Sequence, residues 1–501
     1  MRIPLGSASS RTSSSVLLLV ILLLENYVAG YISHFSRKND SLRRYFESQS
    51  QSVHKRSALF LAQDSSNDNA AWMESLKARQ SQINQESYWK EQKWRHADCR
   101  SGAKVALPDW VRRMDVQYPL VACGSSQGNV YIAHLESGDI LATTAGEKAA
   151  SDDDDKESSV LSEVEQELKR LQKQALGQLS APKRLESTLR DLFGSYDGGG
   201  TLAIAFDDNL VAVANRQGSV EILRFNEQRL IRQGTLQPLE GIIVTCLELD
   251  EDYLWVGTAD GKVQAYDLHG GSLALQTEPE LEWEFSSSIL SLSVSSELGY
   301  AVLTTSSGGV ELINMEDDDR RPLGSFYPPF DSSTRRSARS LALSAVLLEH
   351  EVLSNDEDDD DDEQDADDVK LELPDIEYSI ACGGNDGSIW IQPLQMTEDG
   401  EIDEDRPFSE ELFQLGSHLG AVKCLVSPIP GLLVSGGLDG TMRIWDVVEK
   451  ESLYQFVGYK VWLGSLWTDG SRLISDGSDN SIIVHDFEKD SDAEDAEEDV
   501  I

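Results

Sequence analysis

The sequence predicts an all-β fold in which seven blades close into a ring, and three observations predict it. One short pattern, a β-rich run, a turn ending in glycine and a second β-rich run, recurs along the chain. The turn positions stand about 90, 43, 47, 79, 53 and 40 residues apart, a basic period near 40 to 47 with room for insertions in the wide gaps. Within each copy apolar and polar residues alternate, which favours strands over helical repeats of similar length, where the spacing would be about 3.6.

The clearest copy is "LLVSGGLDGTMRIWDV", Leu432 to Val447, in which Leu438-Asp439-Gly440 reads as a tight turn because glycine admits positive φ and aspartate bonds nearby amides. In chain order the copies are "LVACGSSQGNVYIAHL" around Gly128, "LVAVANRQGSVEILRF" around Gly218, "LWVGTADGKVQAYDL" around Gly261 and "YAVLTTSSGGVELINM" around Gly308. They continue with "SIACGGNDGSIWIQPL" around Gly387, the copy at Gly440, and "LISDGSDNSIIVHDF" with Asn480 at the glycine position. The last copy ends without a fourth strand, so "AKVAL" or "WVRRMDV", in the region Ala103 to Val116, is expected to complete it and leave no open edge.

These copies resemble the WD-repeat β-propellers over roughly Val105 to Phe487. Trp445-Asp446 is the full dipeptide, Tyr266-Asp267 and His485-Asp486 are near forms, and "GSHLGAVKCLVSP" looks like the His-containing entry to a blade. The resemblance implies that His418, Ser435, Asp439 and Trp445 form the family's structural hydrogen-bond tetrad. The copies at Gly128 and Gly218 lack the acidic turn residue and the aromatic-Asp pair and are placed by period alone.

The cysteines are an independent test. Cys123 and Cys382 occupy one place in their repeats, Cys246 and Cys424 another, as buried strand positions in equivalent blades would. Five cysteines with no CxxC disfavour a disulfide framework and a structural zinc site alike.

The ends and insertions are different material. Residues 1–63 read as a presequence: "SSSVLLLVILLLENYVAG" has an apolar core, Val16 to Leu24, too short to span a bilayer comfortably, which suits a signal peptide. The stretch Tyr31 to Gln63 is serine-rich and basic. A signal peptide followed by a transit peptide with an aromatic first residue resembles the bipartite presequences of algae with complex plastids, with Tyr31 where Phe is commonest. That implies import into the plastid; the alternative is an uncleaved membrane anchor in the endomembrane system. The only N-glycosylation acceptor, Asn39-Asp40-Ser41, lies inside the presequence, which disfavours plain secretion. Residues 64–102 read as a helical extension carrying Trp72, Tyr88, Trp89 and Trp94, residues that pack on the ring or recruit a partner.

The ring is expected over 103–487, with a helical and acidic insertion at 145–200. There Leu161, Val164, Leu168, Leu171 and Ala175 form an apolar seam about two heptads long, marginal for a coiled coil and suited to packing on the ring or on a partner. Acidic runs at Ser151, at Asn355 (within an acidic loop at 350–370) and in the tail 488–501 supply much of the formal charge of −45 and are expected to be disordered. Their position follows from blade order: strands run a, b, c, d outward, and Asn355 to Asp368 lies between strands a and b of the fifth blade, on the face from which the tail also leaves. The insertion starts from the opposite face. Such acidity disfavours direct nucleic-acid binding and leaves basic proteins as partners of the acidic segments, unless the runs are only solvated spacers.

Motifs for chemistry are missing: no P-loop, GxSxG elbow, HExxH or Rossmann fingerprint occurs, and the eight histidines are scattered. We therefore expect a non-enzymatic protein-protein interaction scaffold, monomeric within a complex, with no catalytic, cofactor or metal site, and contact with a membrane only through a retained N-terminal segment. The alternatives are a substrate receptor of a ubiquitin ligase and a propeller enzyme with a channel site. The first is disfavoured because His269, Val448 and Glu488 stand where such receptors often carry Arg two positions after the aspartate.

Overall fold

The computed structural model describes residues 66–145, 200–215, 218–226, 228–236, 242–268, 278–315, 320–329, 341–352, 375–397, 400–459, 463–478 and 480–488. The presequence, the Leu161 to Ala175 seam, the acidic runs apart from Glu488 at the start of the tail, and His269 lie outside these residues. The chain divides into two compact units, Met1–Trp89 and Lys90–Ile501, and the boundary falls inside the helix Ser66–Arg95. In the first unit the helix is polar and carries exposed Tyr88 and Trp89, whose rings meet edge to face at 5.8 Å.

The second unit contains seven four-stranded antiparallel sheets, each made of consecutive strands except one. We letter the strands a to d from the central channel outward. Blade 1 runs from Val111–Gln117 to Ile140–Thr143, blade 2 from Ala203–Asp207 to Arg229–Leu236, and blade 3 from Val244–Leu249 to Leu281–Glu284. Blade 4 runs from Ile289–Ser295 to Pro322–Phe326, blade 5 from Ala342–Val352 to Phe413–Ser417, and blade 6 from Val422–Val426 to Glu451–Phe456. Blade 7 takes its inner three strands from Leu466–Thr468, Arg472–Ser478 and Ser481–Asp486, and its fourth from Arg100–Ala106, which pairs antiparallel with Ser481–Asp486. The closing strand begins three residues before Ala103, and the second expected strand, "WVRRMDV", opens blade 1.

The seven glycine-or-asparagine turns share one conformation for one reason. φ lies between 72° and 95° at Gly128, Gly218, Gly261, Gly308, Gly387 and Gly440, and Asn480 takes 63°, the non-glycine residue type that best tolerates this region. At Gly218, Gly261 and Gly387 a Cβ would also collide with the carbonyl oxygens of Ile242, Phe285 and His418, which lie on the loop leading into the next blade.

The core is distributed over the contacts between neighbouring blades. Val121, Cys123 and Tyr131 of blade 1 pack with Ile474, Ile482 and Val484 of blade 7, and Trp94 joins the corresponding cluster between blades 6 and 7. The equivalent cysteines explain themselves here: Cys246 pairs across the sheet with Gly257 and Cys424 with Gly436, so each thiol occupies the space a side chain there would need. All five thiols are free, and burial raises the pKa of Cys246 to about 12.

Connectivity fixes the faces. The d-to-a and b-to-c connections lie on one face, here the upper one, and the a-to-b connections on the lower. Residues 353–374 join strands a and b of blade 5, and residues 146–199 join strand d of blade 1 to strand a of blade 2.

Candidate functional site

In blade 6 the loop before strand a brings His418 beneath the b-to-c turn. His418 Nε2 lies 2.7 Å from Ser435 Oγ, and Trp445 Nε1 donates to the same oxygen at 2.8 Å. His418 Nδ1 is 3.2 Å from both Asp439 oxygens, and Asp439 Oδ2 also accepts from the Leu419 amide at 2.9 Å. Burial lowers the pKa of His418 against the pull of Asp439, so the ring is neutral, donates from Nδ1 and accepts the Ser435 hydroxyl proton at Nε2. With both nitrogens engaged and the ring buried, His418 has no free lone pair for base chemistry.

The other WD-type pairs hold their blades by different chemistry. Tyr266 is fully buried and donates to Gln264 Oε1 at 3.1 Å. Lys262, two residues before Gln264, pairs with Glu282 at 2.7 Å. Asp446 is fully buried, accepts from the Glu449 amide at 2.9 Å and pairs with Arg95 from the end of the helix. Asp486 accepts from the Glu488 amide at 3.0 Å. Asp267 sits at the end of strand c of blade 3, facing Tyr253.

Blade 7 carries a rearranged cluster. Tyr459 stands six residues before Ser465 as His418 stands six before Cys424, and its hydroxyl lies 2.9 Å from His485 Nε2 and 3.2 Å from Ser475 Oγ. Ser101 Oγ, on the closing strand, lies 2.6 Å from His485 Nδ1, at the wall of a cavity of about 280 Å³. That is the spacing of a nucleophile and base, yet burial pushes His485 down to about 4 and no carboxylate bonds its far nitrogen to support an imidazolium. The cluster fastens the closing strand.

The mouth of the central channel on the upper face has two halves. Five strands a carry a bulge at one level, placing Arg112, Thr245, Leu290, Leu343 and Lys423 there in blades 1, 3, 4, 5 and 6. Leu290 and Leu343 cluster with Leu341 and Ala421. In blade 7 the corresponding residue is Gly464, where a Cβ would stand 3.0 Å from Arg113 Nη1 and 3.0 Å from Asp476 Oδ2. Asp476 accepts from the Gly464 and Ser465 amides at 2.9 and 3.1 Å; burial raises its pKa to about 6 against those bonds and the Arg113 charge. Lys423 falls to about 8 through burial and the neighbouring Arg113. Next to this mouth Leu419 is 88% exposed, and Leu438, whose amide bonds Ala421 O, is also exposed.

Sequence reasoning missed Arg112, Arg113, Lys423, Asp476 and Tyr459. Aligning the repeats would have marked two of them: Asp476 replaces the glycine of Gly124, Gly257, Gly383 and Gly436, and Tyr459 replaces His418.

Residues 409–446 match the model of the WD domain, G-beta repeat. The ring is a seven-bladed β-propeller, and its blade 6 matches a WD repeat. Residues 202–295, which cover blades 2 and 3, match the model of the anaphase-promoting complex subunit 4 WD40 domain, so the blade around Gly218 is matched without a WD dipeptide. Among solved structures the propeller is similar to the computationally designed Ika8 protein, at 14% identity and a TM-score of 0.41, over 77% of this chain and 99% of that one. No curated protein matches the chain. No group of residues placed to hold a metal ion occurs among the described residues, and among them no helix is long and apolar enough to cross a membrane.

Proposed function

We propose that the chain is a non-enzymatic interaction scaffold whose upper face docks partner proteins. The observation that carries this reading is the 88% exposed Leu419 beside exposed Leu438 on a rigid rim, next to a channel mouth that is apolar on one side and cationic on the other. The loops that carry the two leucines are held by Asp439, which bonds His418 Nδ1 and the Leu419 amide, so this part of the face is positioned before a partner arrives. The match of residues 202–295 to a domain named for a subunit of a complex supports a role as one part of an assembly. Proximity labelling in the native cell with the wild type and with Leu419→Asp tests it: a partner set that the charged variant loses is expected, and an identical set for both rules out the upper rim.

The acidic segments support a second contact, with basic proteins, on the lower face, and the presequence supports plastid import. Mature protein is then expected to begin near Leu59 to Gln63, and mass spectrometry finding peptides from Tyr31 to Arg56 in the mature pool rejects import.

A further inference from the structure

We propose that blade 4 presents on the upper face a site for a cationic side chain of a partner, a lysine ammonium or an arginine guanidinium, held by Glu311 and Tyr327. The proposal rests on the scaffold reading above and names the chemistry that one part of the face recognises.

Three observations carry it. The first is a carboxyl group without a partner. Glu311 is 9% exposed, and no hydrogen bond or ion pair reaches it among the described residues. Burial alone raises its pKa, with no neighbouring charge acting on it. Its oxygens still reach solvent: among the described residues the sealed polar atoms without a bond include Trp283 Nε1 and leave out both oxygens of Glu311. A buried carboxylate costs folding free energy unless it is paired, and an incoming cation supplies the pairing.

The second is comparison within the ring. The same position, three residues after the turn residue, is bonded in every other blade where it is polar. Tyr131 donates to Asp109 at 2.6 Å in blade 1, Glu221 pairs with Arg232 at 3.6 Å in blade 2, and Gln264 donates to Glu282 in blade 3. Trp390 donates to Ser388 at 3.1 Å in blade 5 and Arg443 to the Ser417 carbonyl at 3.0 Å in blade 6, while blade 7 carries apolar Ile483. Blade 4 leaves a carboxylate there without its complement, and the complement of a carboxylate is positive.

The third is the surface around it. Glu311 lies opposite Ser325 across strands c and d, and Tyr327 follows two residues later on the same face. Both are exposed, Tyr327 by 61%. A Cβ on Gly309 would stand 3.0 Å from Glu311 Oε1 and 3.2 Å from Tyr327 Cε1, so that oxygen and the ring edge lie within about 6 Å of each other and one cation can meet both. Phe326 and Pro328 on either side of Tyr327 are buried, and a residue before proline is confined to extended backbone, so the ring is held at the surface before anything binds. A neutral donor would bond the carboxylate but gain little from the ring face; a cation uses both.

Fluorine NMR of the full chain labelled with fluorotyrosine, at fixed ionic strength, tests the site, with the Tyr327 signal assigned by its loss in Tyr327→Phe. The probes are the Nα-acetyl methylamides of lysine, of arginine and, as the neutral control, of methionine. A lysine or arginine probe is expected to move the Tyr327 signal saturably, and the methionine probe to leave it in place. Glu311→Gln, which keeps the shape and removes the charge, is expected to weaken that response by about ten-fold or more. Its melting temperature is expected to equal or exceed that of the wild type, because the carboxyl group has no structural partner to lose. Glu311→Asp, with the charge withdrawn by one methylene, serves if Glu311→Gln fails to fold, and is expected to weaken the response as well. A Tyr327 signal that no probe moves, that all three move alike, or that moves equally in wild type and variant overturns the proposal. If the site fails while Leu419→Asp still strips partners, the scaffold reading stands and only the cation chemistry is wrong; if Tyr327 responds while labelling gives identical partner sets, the Leu419 rim is ruled out and the cation site stands.

Discussion

Trp94, near the end of the N-terminal helix, stacks on Phe487, the residue after the last blade strand, with ring centroids 3.8 Å apart and planes 16° from parallel. Its indole N–H donates to Gly470 O at 2.8 Å and its carbonyl accepts from Tyr454 OH at 2.6 Å, so one residue ties blades 6 and 7 together just before the chain enters the closing strand. Trp94→Ala is expected to destabilise the propeller by about 3 to 5 kcal/mol through the cavity and the orphaned carbonyl. Trp89→Ala, at an exposed position, is expected to stay within about 0.5 kcal/mol. Urea unfolding of both variants measures the contrast, and equal midpoints would sink the latch.

In blade 6, Trp445→Ala is expected to cost about 3 to 5 kcal/mol, because it empties a buried site and removes a donor from Ser435. Trp445→Phe keeps much of the volume and loses the N–H, so about 1 to 2 kcal/mol is expected. An unchanged melting curve for Trp445→Ala refutes the tetrad.

Two buried groups oppose each other in acid. Asp476 titrates near 6 in the fold against an unperturbed 3.8, so the folded state holds the extra proton between those values and stability from this group falls as pH rises through them. His485 titrates near 4 against 6.5, so the unfolded state holds the extra proton and stability falls as pH drops from 6.5 to 4. Each is worth about 3 kcal/mol at 1.36 kcal/mol per unit, with opposite sign in nearly the same window. Asp476→Asn is therefore expected to steepen the loss of stability below pH 6 relative to wild type. Melting temperatures from pH 4 to 7 give the difference profile, and parallel profiles contradict the burial of Asp476.

Deleting Asn355 to Asp368 together with Glu488 to Ile501 is expected to weaken any basic protein partner in a salt-dependent way without unfolding the ring, since charges in water act over about 10 Å at 0.1 M salt. Affinity unchanged at low salt identifies the runs as spacers.

The sequence by itself determined the number of blades and the need for a closing strand. Gly128, Gly218, Gly261, Gly308, Gly387, Gly440 and Asn480 each meet a local requirement, positive φ in a tight turn, and local requirements leave a mark at a fixed spacing. His418, Ser435, Asp439 and Trp445 were legible because one blade contains them all within a short stretch. Only the tertiary structure decided that Arg113 and Asp476 flank Gly464 and that Trp94 meets Phe487, pairs several hundred residues apart whose proximity depends on the ring closing. Closure also turned the bulge positions of separate blades into one channel mouth, with Lys423 and Arg112 on either side of Gly464. A bulge costs a strand one unpaired residue wherever it occurs; the neighbours it acquires are set by the angle between blades, which no single repeat encodes.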